Sequence, residues 1–125
     1  MNNCENDILH IVKGDDVYLA VTIIQPDGHE YIMQQDDTLH FVMKQNADSA
    51  SNVIDSTAAG STIEIYYENN IGEVICIPHS LTKNIEAGRY VYDVKLVQTE
   101  NGQTKVTTII PLSNALVHDT THVIN

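Results

Sequence analysis

Apolar and polar side chains alternate along most of this chain, and the longest alternating stretch, Gly88 to Pro111, predicts a β-hairpin around which the other strands are arranged. In its first arm Tyr90, Tyr92, Val94 and Leu96 share one face, expected to be buried. Arg89, Asp93 and Lys95 share the other with Val91 and Val97. Asn101-Gly102 tolerates the positive φ that reverses a strand, and Thr104 to Ile110 supplies β-branched residues for the return. A lone hairpin is marginal in water, so the remaining strands are expected to cover its apolar face.

The same period of two recurs elsewhere. Ile8, Leu9, Ile11 and Val12 predict an edge strand ending in a turn at Gly14-Asp15-Asp16. Val17 to Gln25 predicts a strand with Val17, Leu19, Val21 and Ile23 inward and Tyr18, Ala20, Thr22 and Ile24 outward. Pro26-Asp27-Gly28-His29 turns the chain, and a short extended piece follows at Tyr31 to Met33. Thr38 to Gln45 alternates again, with Leu39, Phe41 and Met43 inward and Phe41 central. Asn46 to Ser61 is small and polar and predicts a loop with a short strand around Val53 and Ile54. Ser61 to Tyr67 and Gly72 to Pro78 predict a second hairpin. Leu81 and Ile85 suggest one helical turn with Ser80 as its cap. Pro111 is expected to break the chain before a final strand through Leu112, Asn114, Leu116 and His118 that fades in Asp119 to Asn125.

This totals about eight or nine short strands with hairpin-like links and no helix long enough for a parallel crossover. The expected fold is all-β, a single antiparallel sandwich domain over residues 1–125 with its core at 8–121. A chain of 125 residues is long enough to bury roughly two-thirds of its unfolded surface in one core.

Composition narrows the function. Six basic residues against seventeen acidic ones give a net charge of -11, which repels phosphate backbones and argues against direct nucleic-acid binding. The first residues, MNNCENDILHIVKGDD, show neither a basic leader nor a long apolar run, so no signal peptide or membrane span is expected. Cys4 and Cys76 are too few for a disulfide framework and are expected as free thiols.

Candidate chemistry is sparse. His118 and His122 would share a face on a helix, but Thr120 and Thr121 favour extended chain, where positions four apart stand about 13 Å apart, too far for one zinc ion. His10, His29, His40 and His79 are scattered singly, and no metal or cofactor is expected. The pairs Asp15-Asp16 and Asp36-Asp37 each precede a strand, where aspartate bonds its own backbone in a turn. No nucleophile, metalloprotease or phosphate-loop spacing occurs, so no catalytic residues are assigned and the chain is not expected to be an enzyme. Tyr90 and Tyr92 suit either a stacking platform or a tyrosine corner, in which the hydroxyl bonds back to the chain, and the corner fits better.

The order of these pieces resembles a known family. Gly14-Asp15-Asp16 opening Val17-Tyr18-Leu19-Ala20-Val21, then Pro26-Asp27-Gly28 and Leu39-His40-Phe41-Val42-Met43-Lys44, is similar to the N-terminal domain of phage baseplate upper proteins and related tail or neck appendage domains. Gly88-Arg89-Tyr90-Val91-Tyr92-Asp93-Val94-Lys95-Leu96, Asn101-Gly102, Thr108-Ile109-Ile110 and Leu116-Val117-His118-Asp119-Thr120-Thr121 resemble that family's G-x-Y-x-Y-D hairpin and last strand. The resemblance covers about residues 8–121. It implies an immunoglobulin-like structural module of the virion, with no catalytic residues to carry over. Larger members continue into a coiled coil or receptor-binding part, which these 125 residues do not include.

The expected role is a non-enzymatic assembly module of a bacteriophage or prophage tail, made in the bacterial cytoplasm and contacting other tail or baseplate proteins or copies of itself. The expected assembly surface comprises Ile8 and Ile11 on the first strand and Val91 and Val97 on the outward face of the hairpin. The rival reading is a host-surface or carbohydrate-binding module that uses the Asn46 to Ser61 loop and Tyr18, Tyr31 or Tyr66.

Overall fold

The computed structural model describes residues 8–122, and the expectations for Cys4 and the last three residues lie outside them. Eight strands and one helical turn are formed among the described residues. They are β1 (Leu9–Val12), β2 (Val17–Val21), β3 (Thr38–Lys44), β4 (Ile54–Asp55), β5 (Glu64–Glu68), β6 (Gly72–Ile77), α1 (His79–Thr82), β7 (Gly88–Glu100) and β8 (Gln103–His118). Two sheets result: a five-stranded one in the order β1-β8-β7-β3-β4, and a three-stranded one in the order β2-β6-β5.

Alternation places the core between them. The large sheet turns Leu39, Phe41 and Met43 of β3 and Tyr90, Tyr92, Val94 and Leu96 of β7 inward. The small sheet answers with Val17, Val21, Ile75 and Ile77. Phe41, at 0% exposure, stacks on Tyr92 with ring centroids 5.6 Å apart. The two-sheet, all-β arrangement expected from the pattern is present. So are the β5–β6 and β7–β8 hairpins, the latter with Asn101 and Gly102 at positive φ, and the short β4 in the polar loop, held by buried Ile54.

Several expectations change. β1 runs parallel to β8, pairing Ile11 with Val117, so the sandwich is not wholly antiparallel. Ile11 faces inward at 0% exposure and is therefore not available as an assembly surface. Pro111 does not end a strand: β8 continues through it because two register shifts, opposite Tyr92 to Val94 and Val94 to Lys95, bulge the strand. A residue without an N–H is tolerated where the ladder is already interrupted. β2 stops at Val21, although Ile24 still makes an isolated bridge to Glu30.

The α1 cap also differs. No side chain caps the turn from its N-cap position, Pro78. Instead Asp16 reaches across from the β1–β2 turn, and its Oδ1 accepts from the His79 backbone N–H at 2.6 Å. His79 Nδ1 lies 2.9 Å from the same oxygen. Buried Thr82 completes the tie: its hydroxyl donates to the Asp15 carbonyl at 2.7 Å and accepts from the Gly14 N–H at 3.1 Å. Among the described residues, no helix is long and apolar enough to cross a membrane.

Candidate functional site

The three-stranded sheet has an outer face built by the same alternation that fills the core. With Val17, Leu19 and Val21 directed inward, β2 must turn Tyr18 and Ala20 outward. The β6 pairing then sets Tyr18 beside Cys76 and Ala20 beside Val74. The β5 pairing extends the two rows to Glu64 and Tyr66. Tyr18 is 63% exposed and Tyr66 42%, with Ile24 at 59% farther along the outward side of the chain after β2. Exposed aromatic side chains thus flank Val74, which is itself buried at 5% exposure.

Two tyrosines with polar tips and apolar bodies suit a contact that is part dry and part hydrogen-bonded. The Cys76 thiol, ahead of Asp16, pushes the Tyr18 hydroxyl above its ordinary range. Tyr18 is therefore neutral at physiological pH and offers both a donor and an acceptor. Cys76 itself is free and half-buried, as expected.

The surface expected from sequence is scattered by comparison. Ile8 is half-buried just before β1, beside a groove of about 430 Å³ that Leu9, Leu19, Ile109 and Ile110 also line. Val91 and Val97 are half-buried and outward. Val91 lies between Lys44 and Asn114, and Val97 between Thr38 and Val106. Six residue steps along the strand separate them by about 20 Å, with Asp93 and Lys95 on the same face in between, so they do not form one apolar patch.

The tyrosines named in the rival reading also separate. Tyr18 and Tyr66 share the outer face, but Tyr31 is tied down, its hydroxyl donating to Asp37 and accepting from the Gln98 amide at 3.1 Å. That bond to Asp37 pushes the Tyr31 hydroxyl upward. Tyr90 donates its hydroxyl to the Glu86 carbonyl at 2.6 Å, as a tyrosine corner does, and burial raises it.

A cavity of about 560 Å³ opens between the sheets on the β4–β5 side. Met33, Leu39, Ile63 and Ile65 supply its apolar lining, and Asp37, Thr38, His40, Ser56 and Thr57 its polar one. These polar groups serve the fold. Asp37 accepts from the Gln34 N–H at 2.8 Å as well as from Tyr31, and Ser56 Oγ accepts from the Phe41 N–H at 2.9 Å. Asp37 is the one carboxylate lining the cavity, so two carboxylates do not converge there.

Asp55, nearby, accepts from the Thr57 hydroxyl at 2.6 Å and the Thr57 N–H at 2.9 Å. Those bonds hold its carboxyl below the usual range. Asp16 is lowered by His79, first through its backbone N–H. In both places the acid organises a turn.

Glu73 was missed by sequence reasoning. Paired with Val21, it points inward at 4% exposure, where the Met33 N–H meets its Oε2 at 3.4 Å. The period-two pattern of β6 does signal this, since it assigns Glu73 to the same face as Ile75 and Ile77.

No known protein-family model matches this chain, and no curated protein matches it significantly.

Proposed function

We propose that this chain is a non-enzymatic assembly module of a bacteriophage or prophage tail, an immunoglobulin-like sandwich that works by protein–protein contact within the particle. The observation that carries the contact role is the outer face of the three-stranded sheet, where exposed Tyr18, Ala20 and Tyr66 adjoin around buried Val74 without a basic residue in either paired row. A face of this kind gains from being covered by a protein surface. The tail assignment rests on the resemblance carried by Gly14 to Lys44 and Gly88 to Leu96. The bond from Tyr90 to Glu86 supports the immunoglobulin-like reading.

The test is a photo-cross-linker placed at position 18 or 66 of the full chain, expressed in a prophage-bearing host. Cross-links to tail proteins, or to further copies of the chain, in purified particles are the expected result. A chain that never enters particles sinks the proposal.

The exposure of Tyr18 together with Tyr66 also favours a second reading, carbohydrate binding on this face. Glycan-array binding that disappears in Tyr18→Ala would replace the first reading with the second.

A further inference from the structure

The parallel pairing of β1 with β8 brings together two histidines that lie 108 positions apart in the chain. His10 pairs with Leu116, so its outward side chain reaches His118, two residues farther along β8 on the same face. The rings lie nearly parallel, 16° apart with centroids separated by 5.1 Å, and Nδ1 of His10 stands 2.8 Å from Nε2 of His118. Beneath them the backbone is fixed by the strand pairing and by the Lys13 N–H, which donates to the His118 carbonyl at 2.9 Å.

We propose that His10 and His118 form a two-imidazole chelate for a divalent transition-metal ion such as zinc, nickel or copper, clipping the first strand to the last. With metal–nitrogen bonds of about 2.0–2.1 Å, two adjacent ligands on one ion stand roughly 2.9–3.3 Å apart. The observed separation of 2.8 Å is a hydrogen-bonding distance between the rings. The ion takes the place of the shared proton, and the nitrogens open by roughly 0.1–0.5 Å to reach chelating distance. Nitrogen ligands of this kind select zinc, copper and nickel over magnesium or calcium. Among the described residues no group of three or more metal-ligating side chains occurs, so water completes the coordination and the ion is exchangeable.

Two other histidines stand beside acids, His79 with Asp16 at 2.9 Å and His29 with Asp27 at 3.3 Å. In each the same aspartate also accepts a backbone N–H of its turn, which occupies the carboxylate with local structure. Only the β1–β8 pair offers two imidazoles at chelating distance among the described residues.

Binding to the folded form alone raises the unfolding temperature as metal is added. The experiment titrates tag-free full chain with zinc, nickel or copper ions, each metal alone, following heat of binding and thermal unfolding. The copper sample is also read by electron paramagnetic resonance. Expected are one ion per chain, two-imidazole nitrogen couplings, and an affinity roughly a hundredfold weaker in His10→Asn and in His118→Asn, because a second tethered ligand acts at high effective concentration. His29→Asn and His79→Asn should bind like the parent. No saturable binding, loss in only one of the β1 and β8 variants, or loss in the His29 or His79 variant overturns the proposal. Asparagine at either exposed ring keeps a polar group there, and unfolding curves without metal verify that the variants fold.

Discussion

The outer faces of the two sheets differ in what they offer water. On the five-stranded sheet, charges interrupt the apolar side chains: Lys44 beside Val91, Asp93 beside Val42, and Lys95 beside His40, with the Lys95 ammonium donating to the Thr108 hydroxyl at 2.9 Å. On the three-stranded sheet the central rows read Tyr18-Cys76-Glu64 and Ala20-Val74-Tyr66, with a single charge at one end. Both faces are produced by the same alternation, so alternation alone cannot explain the contrast. Charged positions keep a pleated surface single and soluble, and their scarcity on the small sheet is why the proposed contact is assigned to that face.

The sharpest way to break this contrast is to remove what holds the faces apart. Phe41→Ala deletes the fully buried ring at the centre and should cost about 3–5 kcal/mol in denaturant unfolding, destroying both faces together. Gly72→Ala acts on the small sheet first. Gly72 has φ +116°, and an added Cβ would stand 2.7 Å from the Val21 carbonyl oxygen, a backbone atom. The expected loss is about 3 kcal/mol, with β5–β6 amides losing hydrogen-exchange protection before those of β7–β8.

Tyr90→Phe leaves the Glu86 carbonyl without its hydroxyl donor and should cost about 1 kcal/mol by chemical unfolding. A smaller effect is expected at acid pH. Asp55 is held below its usual value of 3.8, so its contribution is fully present above that pH and is lost as pH falls through the lowered folded value. Asp55→Asn should therefore lower stability at neutral pH and flatten the acid limb of the stability curve.

Smallest of all for folding is Tyr18→Lys together with Tyr66→Lys. If their face serves contact, stability moves by no more than about 0.5 kcal/mol per substitution, while the chain is no longer incorporated into purified particles. A large loss of stability would instead make these tyrosines part of the fold and erase the contrast.

Glu73 qualifies the comparison from within. A carboxylate at 4% exposure, met by one backbone N–H at 3.4 Å, sits among the inward residues of the small sheet. Burial of so lightly bonded a group opposes stability.

Alternation along the sequence was enough to determine the two-layer all-β class, the inward sides of β2, β3 and β7, both hairpins and the place of Phe41. These follow from side chains a few residues apart on one strand, and period two is a local property. It could not determine which strands became neighbours. The parallel alliance of β1 with β8 joins opposite ends of the chain, buries Ile11, and brings His10 to His118. The bulges that carry β8 through Pro111 depend on the partner strand as well as on the proline. The shared face of Tyr18 and Tyr66 likewise arises only when β6 seats itself between β2 and β5. Register across strands is set by packing the whole core at once, so it belongs to the tertiary structure rather than to any stretch of residues.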